Sequence, residues 1–253
     1  MPGGGMKFGR ISFFLGTLLV VGLARLAPLR AADDAIFIDP SDPGLIRKTV
    51  IPFASEIVLR ASDLPTHSEA HPNVAFGEQR FSFISLSPDG SYLAFSVDGS
   101  LSDWSGVYDL GKKDLHQVAL SFDAQALAPA WAADGRRVAF EEEDSVGRRY
   151  LQVYDLEKRE SCGLDYRSAK NKYLNLLNPW WSETGDKVYF QVEVNNRYRR
   201  SMGLKPLAAP ARIGEANVQC QELVLRSVEK FMAEVPAGNI PREALATLLK
   251  GPL

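Results

Sequence analysis

Three stretches of the chain carry apolar and polar positions in the same order. A short apolar run comes first, then a polar turn holding Asp-Gly or Thr-Gly, then a strand-like alternation of apolar residues. The stretches are Leu86-Ser-Pro-Asp-Gly-Ser-Tyr-Leu-Ala-Phe95, Trp131-Ala-Ala-Asp-Gly-Arg-Arg-Val-Ala-Phe140 and Trp181-Ser-Glu-Thr-Gly-Asp-Lys-Val-Tyr-Phe190. Alternation of period two on either side of a glycine turn predicts an antiparallel hairpin. Glycine supplies the positive φ that a tight reversal needs, and Asp closes the turn through its carboxylate.

The spacing makes these true repeats. Gly90, Gly135 and Gly185 stand 45 and 50 residues apart, and Val107-Tyr-Asp-Leu110 returns 46 residues on as Val153-Tyr-Asp-Leu156. In the first copy the pattern predicts strands at 83–86, 92–97, 106–110 and 115–120. In the second it predicts 129–131, 138–140, 150–156 and 161–166, and in the third 179–181 and 188–194. Four antiparallel strands in about 45 residues make one blade of a β-propeller. Trp131, Trp181, Phe95, Phe140 and Phe190 are expected to fill the spaces between neighbouring blades.

These copies resemble the repeats of the TolB-like propeller family, which also occur in the propeller domains of prolyl-oligopeptidase-type peptidases. The family pattern is Pro-x-Trp-Ser-Pro-Asp-Gly, an apolar-Ala-Phe strand and an aromatic strand ending in Asp-Leu. Pro129, Trp131, Asp134, Gly135, Ala139, Phe140, Tyr154, Asp155 and Leu156 match it in the second copy. Ser87, Pro88, Asp89, Gly90, Ala94, Phe95, Tyr108, Asp109 and Leu110 match it in the first, where Leu86 replaces Trp. The third keeps Pro179, Trp181, Ser182, Gly185 and Phe190 and lacks the Asp-Leu ending. The resemblance covers residues 81–205. Upstream, Ala35-Ile-Phe-Ile-Asp39 and Ile46-Arg-Lys-Thr-Val-Ile-Pro-Phe53 are similar to the start of mature family members. The resemblance implies a binding protein that engages proteins of the cell envelope. The hydrolase domain of the peptidase relatives has no counterpart in this sequence.

The expected fold class is therefore all-β: a small or incomplete β-propeller of four-stranded antiparallel blades with a C-terminal helical hairpin. The expected blades occupy 81–125, 126–174 and 175–213, after an N-terminal strand and loop segment at 32–80. Three blades do not close a ring. Segment 36–80 could supply a fourth blade, two chains could complement one another, or the arc could stay open with C-terminal helices over one end. An incomplete propeller whose N-terminal segment contributes strands is favoured. That segment predicts strands at 36–38 and 48–59, the second interrupted by Pro52. Over 214–253, Val218, Leu225, Val228, Met232 and Val235 recur at helical spacing. They predict a helix at 215–234, and Pro241 opens a second at 242–250.

Lys7 and Arg10 precede an apolar run, Ile11–Ala24, that is too short for a comfortable membrane span. With Ala31 and Ala32 as a cleavage point, this predicts a signal peptide at 1–31 and a periplasmic or secreted protein. Membrane attachment is expected only through this segment if it stays uncleaved. Cys162 and Cys220 could then pair, or remain two buried thiols.

The net charge is −2 across 253 residues, which argues against a nucleic-acid partner. The sequence carries no nucleophile elbow, phosphate loop or zinc-type cysteine cluster; no enzyme activity, cofactor or metal is expected. His67 and His71 flank Glu69 in a predicted solvated loop, and His116 is isolated. Glu141–Asp144 predicts a solvated acidic hairpin, with Arg197, Arg199 and Arg200 in the matching loop of the third copy. The expected function is protein binding in the envelope, to an envelope protein or to a second copy as a homodimer. Trp104, Arg148, Arg149, Arg197, Arg199 and Arg200 are the candidate contacts. Trp104 is included as a bulky aromatic in a predicted loop. A second reading, a small-molecule- or sugar-binding or hydrolytic domain, rests on Asp98, Asp103 and Glu141–Asp144.

Overall fold

The repeats fold as the strand pattern predicts, in a computed structural model that describes residues 35–50, 54–121, 129–144, 147–164, 173–208, 212–220, 223–235 and 240. Three four-stranded antiparallel sheets follow one another. The first contains β4 (Gln79–Leu86), β5 (Tyr92–Gly99), β6 (Asp103–Asp109) and β7 (Asp114–Ser121) in that order. The second contains β8 (Ala130–Trp131), β9 (Arg137–Glu143), β10 (Arg149–Asp155) and β11 (Glu160–Gly163), and the third β12 (Leu174–Trp181), β13 (Lys187–Val194), β14 (Arg212–Asn217) and β15 (Leu223–Ser227).

Local chemistry explains the repeated hairpins. Gly90, Gly135 and Gly185 have φ of 74°, 69° and 69°, in the left-handed region. Asp89 Oδ1 accepts the Ser91 N–H at 3.1 Å, and Asp134 Oδ1 the Arg136 N–H at 3.0 Å. The third copy has Thr184 at that place, and there the Ser182 hydroxyl bridges to Asp186 at 2.9 Å instead. At the next reversal Asp109 Oδ1 accepts the Gly111 and Lys112 N–H groups, and Asp155 Oδ1 those of Glu157 and Lys158.

Alternation along each strand sends side chains into two different cores, so every blade is buried on both faces. Phe95 and Leu93 pack toward an N-terminal sheet with Ile46 and Leu59. Ala94 and Val107 face Val138, Phe140 and Tyr154 of the second blade. Ala139 and Val153 face Leu176, Val188 and Phe190 of the third. The motif Phe of each copy thus fills the space against the preceding sheet, as expected. Fully burying such a side chain contributes about 1.5–3 kcal/mol.

The N-terminal sheet is a three-stranded meander of β1 (Ile36–Ile38), β2 (Leu45–Val50) and β3 (Ala54–Arg60). The predicted single strand at 48–59 is in fact this second hairpin, and Pro52 lies outside the described residues. Asp39 fixes the first reversal: its carboxylate accepts from Ser41 N–H and Oγ–H and pairs with Arg47 Nε at 2.5 Å.

The C-terminal expectation needs correction. Residues 215–220 and 223–227 are not helical. Glu215, Ala216 and Asn217 sit on β14, aligned with Lys187–Tyr189 of β13, and Leu223–Ser227 forms the outer strand β15. Among the described residues of 214–253, only α2 (Val228–Glu234) is helix, started where the Ser227 hydroxyl oxygen accepts the Lys230 N–H. Its Phe231 is fully buried on the far face of the third blade, 6.1 Å from Trp180 and 5.2 Å from Tyr189 by ring centroids. The three-stranded sheet thus covers one end of the row of blades and α2 covers the other. The expected leader 1–31 and second helix 242–250 lie outside the described residues.

Cys162 and Cys220 form a disulfide, their Cα atoms 5.9 Å apart. It ties the outer strand of the second blade to the β14–β15 turn of the third.

Candidate functional site

The connections after β9 and β13 emerge at the same end of the second and third blades, and a cleft of about 340 Å³ opens between them. Glu143 and Arg149 reach it from the second blade; Asn175, Glu193, Asn195 and Arg197 reach it from the third. Leu177 and Val194 add apolar wall.

Asn195 organises the junction and is itself buried. Its Nδ2 donates to the Gly147 carbonyl at 2.6 Å and to Asn175 Oδ1 at 2.9 Å. Its Oδ1 accepts the Tyr198 N–H at 2.7 Å and so starts the short helix α1 (Asn196–Ser201). One side chain therefore joins the β9–β10 loop, β12 and α1.

Arg149 lies along the wall of the cleft. Its Nε donates to Glu143 at 2.6 Å, its Nη1 to Glu141 at 3.2 Å, and its backbone N–H to Asn175 Oδ1 at 3.1 Å. Burial works against the Arg149 charge, but Glu143 and Glu141 outweigh it and hold the guanidinium above its ordinary pKa. Glu141 behaves oppositely: burial pushes its carboxyl up, against the downward pull of the Asn178 N–H at 2.6 Å and of Arg149.

The predicted contacts divide. Arg148 pairs with Asp144, and its guanidinium covers the Tyr198 ring at 4.8 Å. Arg199 stacks over Tyr173 at 5.3 Å and donates through Nε and Nη2 to the Lys205 carbonyl. Arg197 and Arg200 are exposed. All five arginines gather at this one end, on and beside α1, which the sequence did not predict; its signal was Asn195 as a helix starter.

Trp104 does not join them, and its placement in a loop is corrected. It lies on β6, wholly buried, donating Nε1–H to Gln79 Oε1 at 2.7 Å and stacked on Phe76 at 5.4 Å. The solvated acidic hairpin is likewise corrected: Glu141, Glu142 and Glu143 lie on β9, and the first two are buried. Asp103 spends a carboxylate oxygen on the Gly99 N–H at 3.1 Å. Among the described residues no three His, Cys, Asp or Glu side chains are grouped to share a metal ion, and no helix is long and apolar enough to cross a membrane.

No known protein family and no curated protein matches the chain. Solved structures do. A putative TolB from Agrobacterium tumefaciens shares 13% identity with a TM-score of 0.42, covering 72% of this chain and 55% of that one. TolB from Acinetobacter baumannii shares 13% with a TM-score of 0.40, covering 76% and 39%. An oligogalacturonate lyase in complex with manganese shares 11% with a TM-score of 0.51, covering 76% and 50%. The chain spans about half the length of these proteins, or less. The likeness is one of fold: four-stranded propeller blades set in series.

Proposed function

We propose that this chain is an exported, non-enzymatic interaction module of the cell envelope, periplasmic or secreted, which binds another protein at the arginine-bearing end of its second and third blades. The observation that carries the reading is the gathering of Arg148, Arg149, Arg197, Arg199 and Arg200 at one end, where Arg149 and Arg197 line the cleft and three of the five are held in fixed poses by stacking and ion pairs. Arginine held in place this way loses little side-chain entropy on binding and recognises carboxylates well. The Cys162–Cys220 disulfide suits an oxidising compartment. The TolB-like architecture supports a protein partner, and self-association is a second form of the same reading.

The cleft also contains Glu143 and Glu193, the feature that a sugar-binding or hydrolytic reading would use. Glu143 is paired with Arg149 at 2.6 Å, so a hydrolytic reading would rest on Glu193.

The test is photo-crosslinking in the envelope of source cells from a reactive residue placed at Arg200. The expected result is one reproducible foreign adduct, or the homodimer, lost on charge reversal of Arg148 and Arg149. Turnover of a polysaccharide by the purified chain, abolished in Glu193→Gln, would replace this reading with the hydrolytic one.

A further inference from the structure

A blade needs little chain to turn from its second strand to its third. Residues 100–102 suffice between β5 and β6, and 144–148 between β9 and β10, whereas the third blade places 195–211 there. The fold does not require this extra length, and connections carry function when the scaffold does not need them.

The described part of the insertion is ordered by bonds that turn inward. Asn196 Oδ1 accepts the Leu207 N–H at 2.8 Å, and its Nδ2 donates to the Leu207 carbonyl at 3.2 Å. Arg199 grips the Lys205 carbonyl through two donors at 3.1 and 3.0 Å and lies on the Tyr173 ring. Asn195 sets the helix start. These contacts leave an outer surface of unusual composition. Met202, Leu204 and Leu207 are 55%, 38% and 48% exposed. Arg197, Arg200 and Lys205 are exposed around them, and among the described residues no carboxylate lies within ion-pair distance of these three cations.

We infer that residues 196–207 form a preformed docking arm for an acidic segment of a partner protein, one that carries apolar side chains between its carboxylates. This rests on the binding reading above and names the partner's chemistry. Three cations with no carboxylate at ion-pair distance among the described residues call for carboxylates, and three exposed apolar side chains call for apolar cover. The fixed shape points to a polypeptide. Ordering the arm in advance lowers the entropy cost of forming one defined complex. An anionic lipid surface gains nothing from a fixed shape and takes only about 1 kcal/mol from each basic residue.

The test uses the purified mature chain and a labelled synthetic peptide alternating Glu or Asp with Leu or Phe. A Glu-Ser peptide, a Lys-Leu peptide and vesicles of phosphatidylglycerol serve as comparisons. Two variants are made, Arg197→Glu with Lys205→Glu, and Met202→Ser with Leu207→Ser; circular dichroism and urea midpoints establish that both stay folded. The expected result is binding of the acidic-apolar peptide alone, weakened about tenfold or more by each variant, and salt-sensitive. Binding unchanged in both variants, or no binding to the unaltered chain, overturns the arm. So does vesicle binding that the variants abolish while peptide binding is absent. An envelope adduct from position 200 that survives both arm variants and is lost with Arg148 and Arg149 reversed leaves the binding reading standing without the arm. Absence of any adduct with peptide binding intact would remove the envelope partner and keep the arm's chemistry.

Discussion

Trp181 donates its indole N–H to the carbonyl of Ala130 at 2.9 Å, across the boundary between the third blade and the second. Trp131 makes the same bond one blade earlier, to Ser85, also at 2.9 Å. The motif Trp therefore stitches each blade to the first strand of its predecessor. Where the first blade meets the three-stranded sheet, the position is Leu86, 40% exposed, which has no N–H to give.

Replacing either Trp with Phe keeps most of the apolar contact and removes the donor. Each variant is expected to lose about 1 kcal/mol, the typical net value of a hydrogen bond, while Leu86→Phe should change stability by less. Urea unfolding of the three variants decides it; equal losses at all three positions would mean the interblade bond contributes nothing.

Gly214 faces the ring of Phe190, which is fully buried, and a methyl group added at Gly214 would overlap that ring. Gly214→Ala is expected to cost about 1–3 kcal/mol through overpacking. Gly203→Ala, where a Cβ meets nothing within 4 Å, separates the steric effect from the backbone effect of its φ of 72°. A thermal melt in which Gly214→Ala is the milder change would count against the close packing.

Breaking Cys162–Cys220 releases a loop of 58 residues. The chain-entropy relation gives about 4 kcal/mol for a loop of that size. Reductant, or the Cys162→Ser and Cys220→Ser pair, should lower the melting temperature by a comparable amount in either case. Melting curves that superimpose with and without reductant would be the contrary result.

The Asp39 turn of the N-terminal sheet is expected to weaken in acid. The Ser41 hydroxyl, the Ser41 N–H and Arg47 hold its carboxyl at about 2, below the ordinary 3.8. A folded-state pKa below the unfolded one stabilises above the unfolded value and is lost as pH falls through the folded value. The sheet should therefore loosen between pH of about 4 and about 2, and Asp39→Asn should flatten stability across that window. Carboxyl chemical shifts followed against pH measure the titration directly; a midpoint near 3.8 would contradict the account.

Trp104 tests the separation of core from surface. Trp104→Phe loses the bond to Gln79 and some volume, so unfolding should become easier by about 1–3 kcal/mol. Affinity for the acidic-apolar peptide, measured well below the melting point, should not move. A fall in affinity without loss of stability would return Trp104 to the interface.

The parts of the fold written in short-range chemistry were legible. Asp89 with Gly90, Asp134 with Gly135, and the Asp109 and Asp155 turns all act within three residues of themselves, so the sequence displays them. Trp104 was not legible, because β6 is buried on both faces and polar Asp103 and Ser105 conceal a strand that tertiary packing imposes. Glu141 misled in the same way, since its burial depends on partners in the third blade such as Asn178. The third blade was cut short because the insertion at 195–211 breaks the period and the Tyr-Asp-Leu landmark has decayed to Ala216-Asn217-Val218. Val228 and Met232 belong to a real helix, but Val218 and Leu225, read with them, belong to the blade. Of the candidate site, the arginines were visible and the cleft that gathers them was not, because nothing local records that Asn195 reaches Gly147.

The same contact, a motif Phe laid on the sheet before it, recurs at every step from the three-stranded meander to the third blade. An interface whose central contact repeats places little constraint on how many units it joins. Duplication of a whole interior blade leaves two like surfaces facing one another, with the end covers undisturbed. The architecture can therefore change its length in single heritable steps, and its reach toward a partner can evolve separately from the chemistry of the arm.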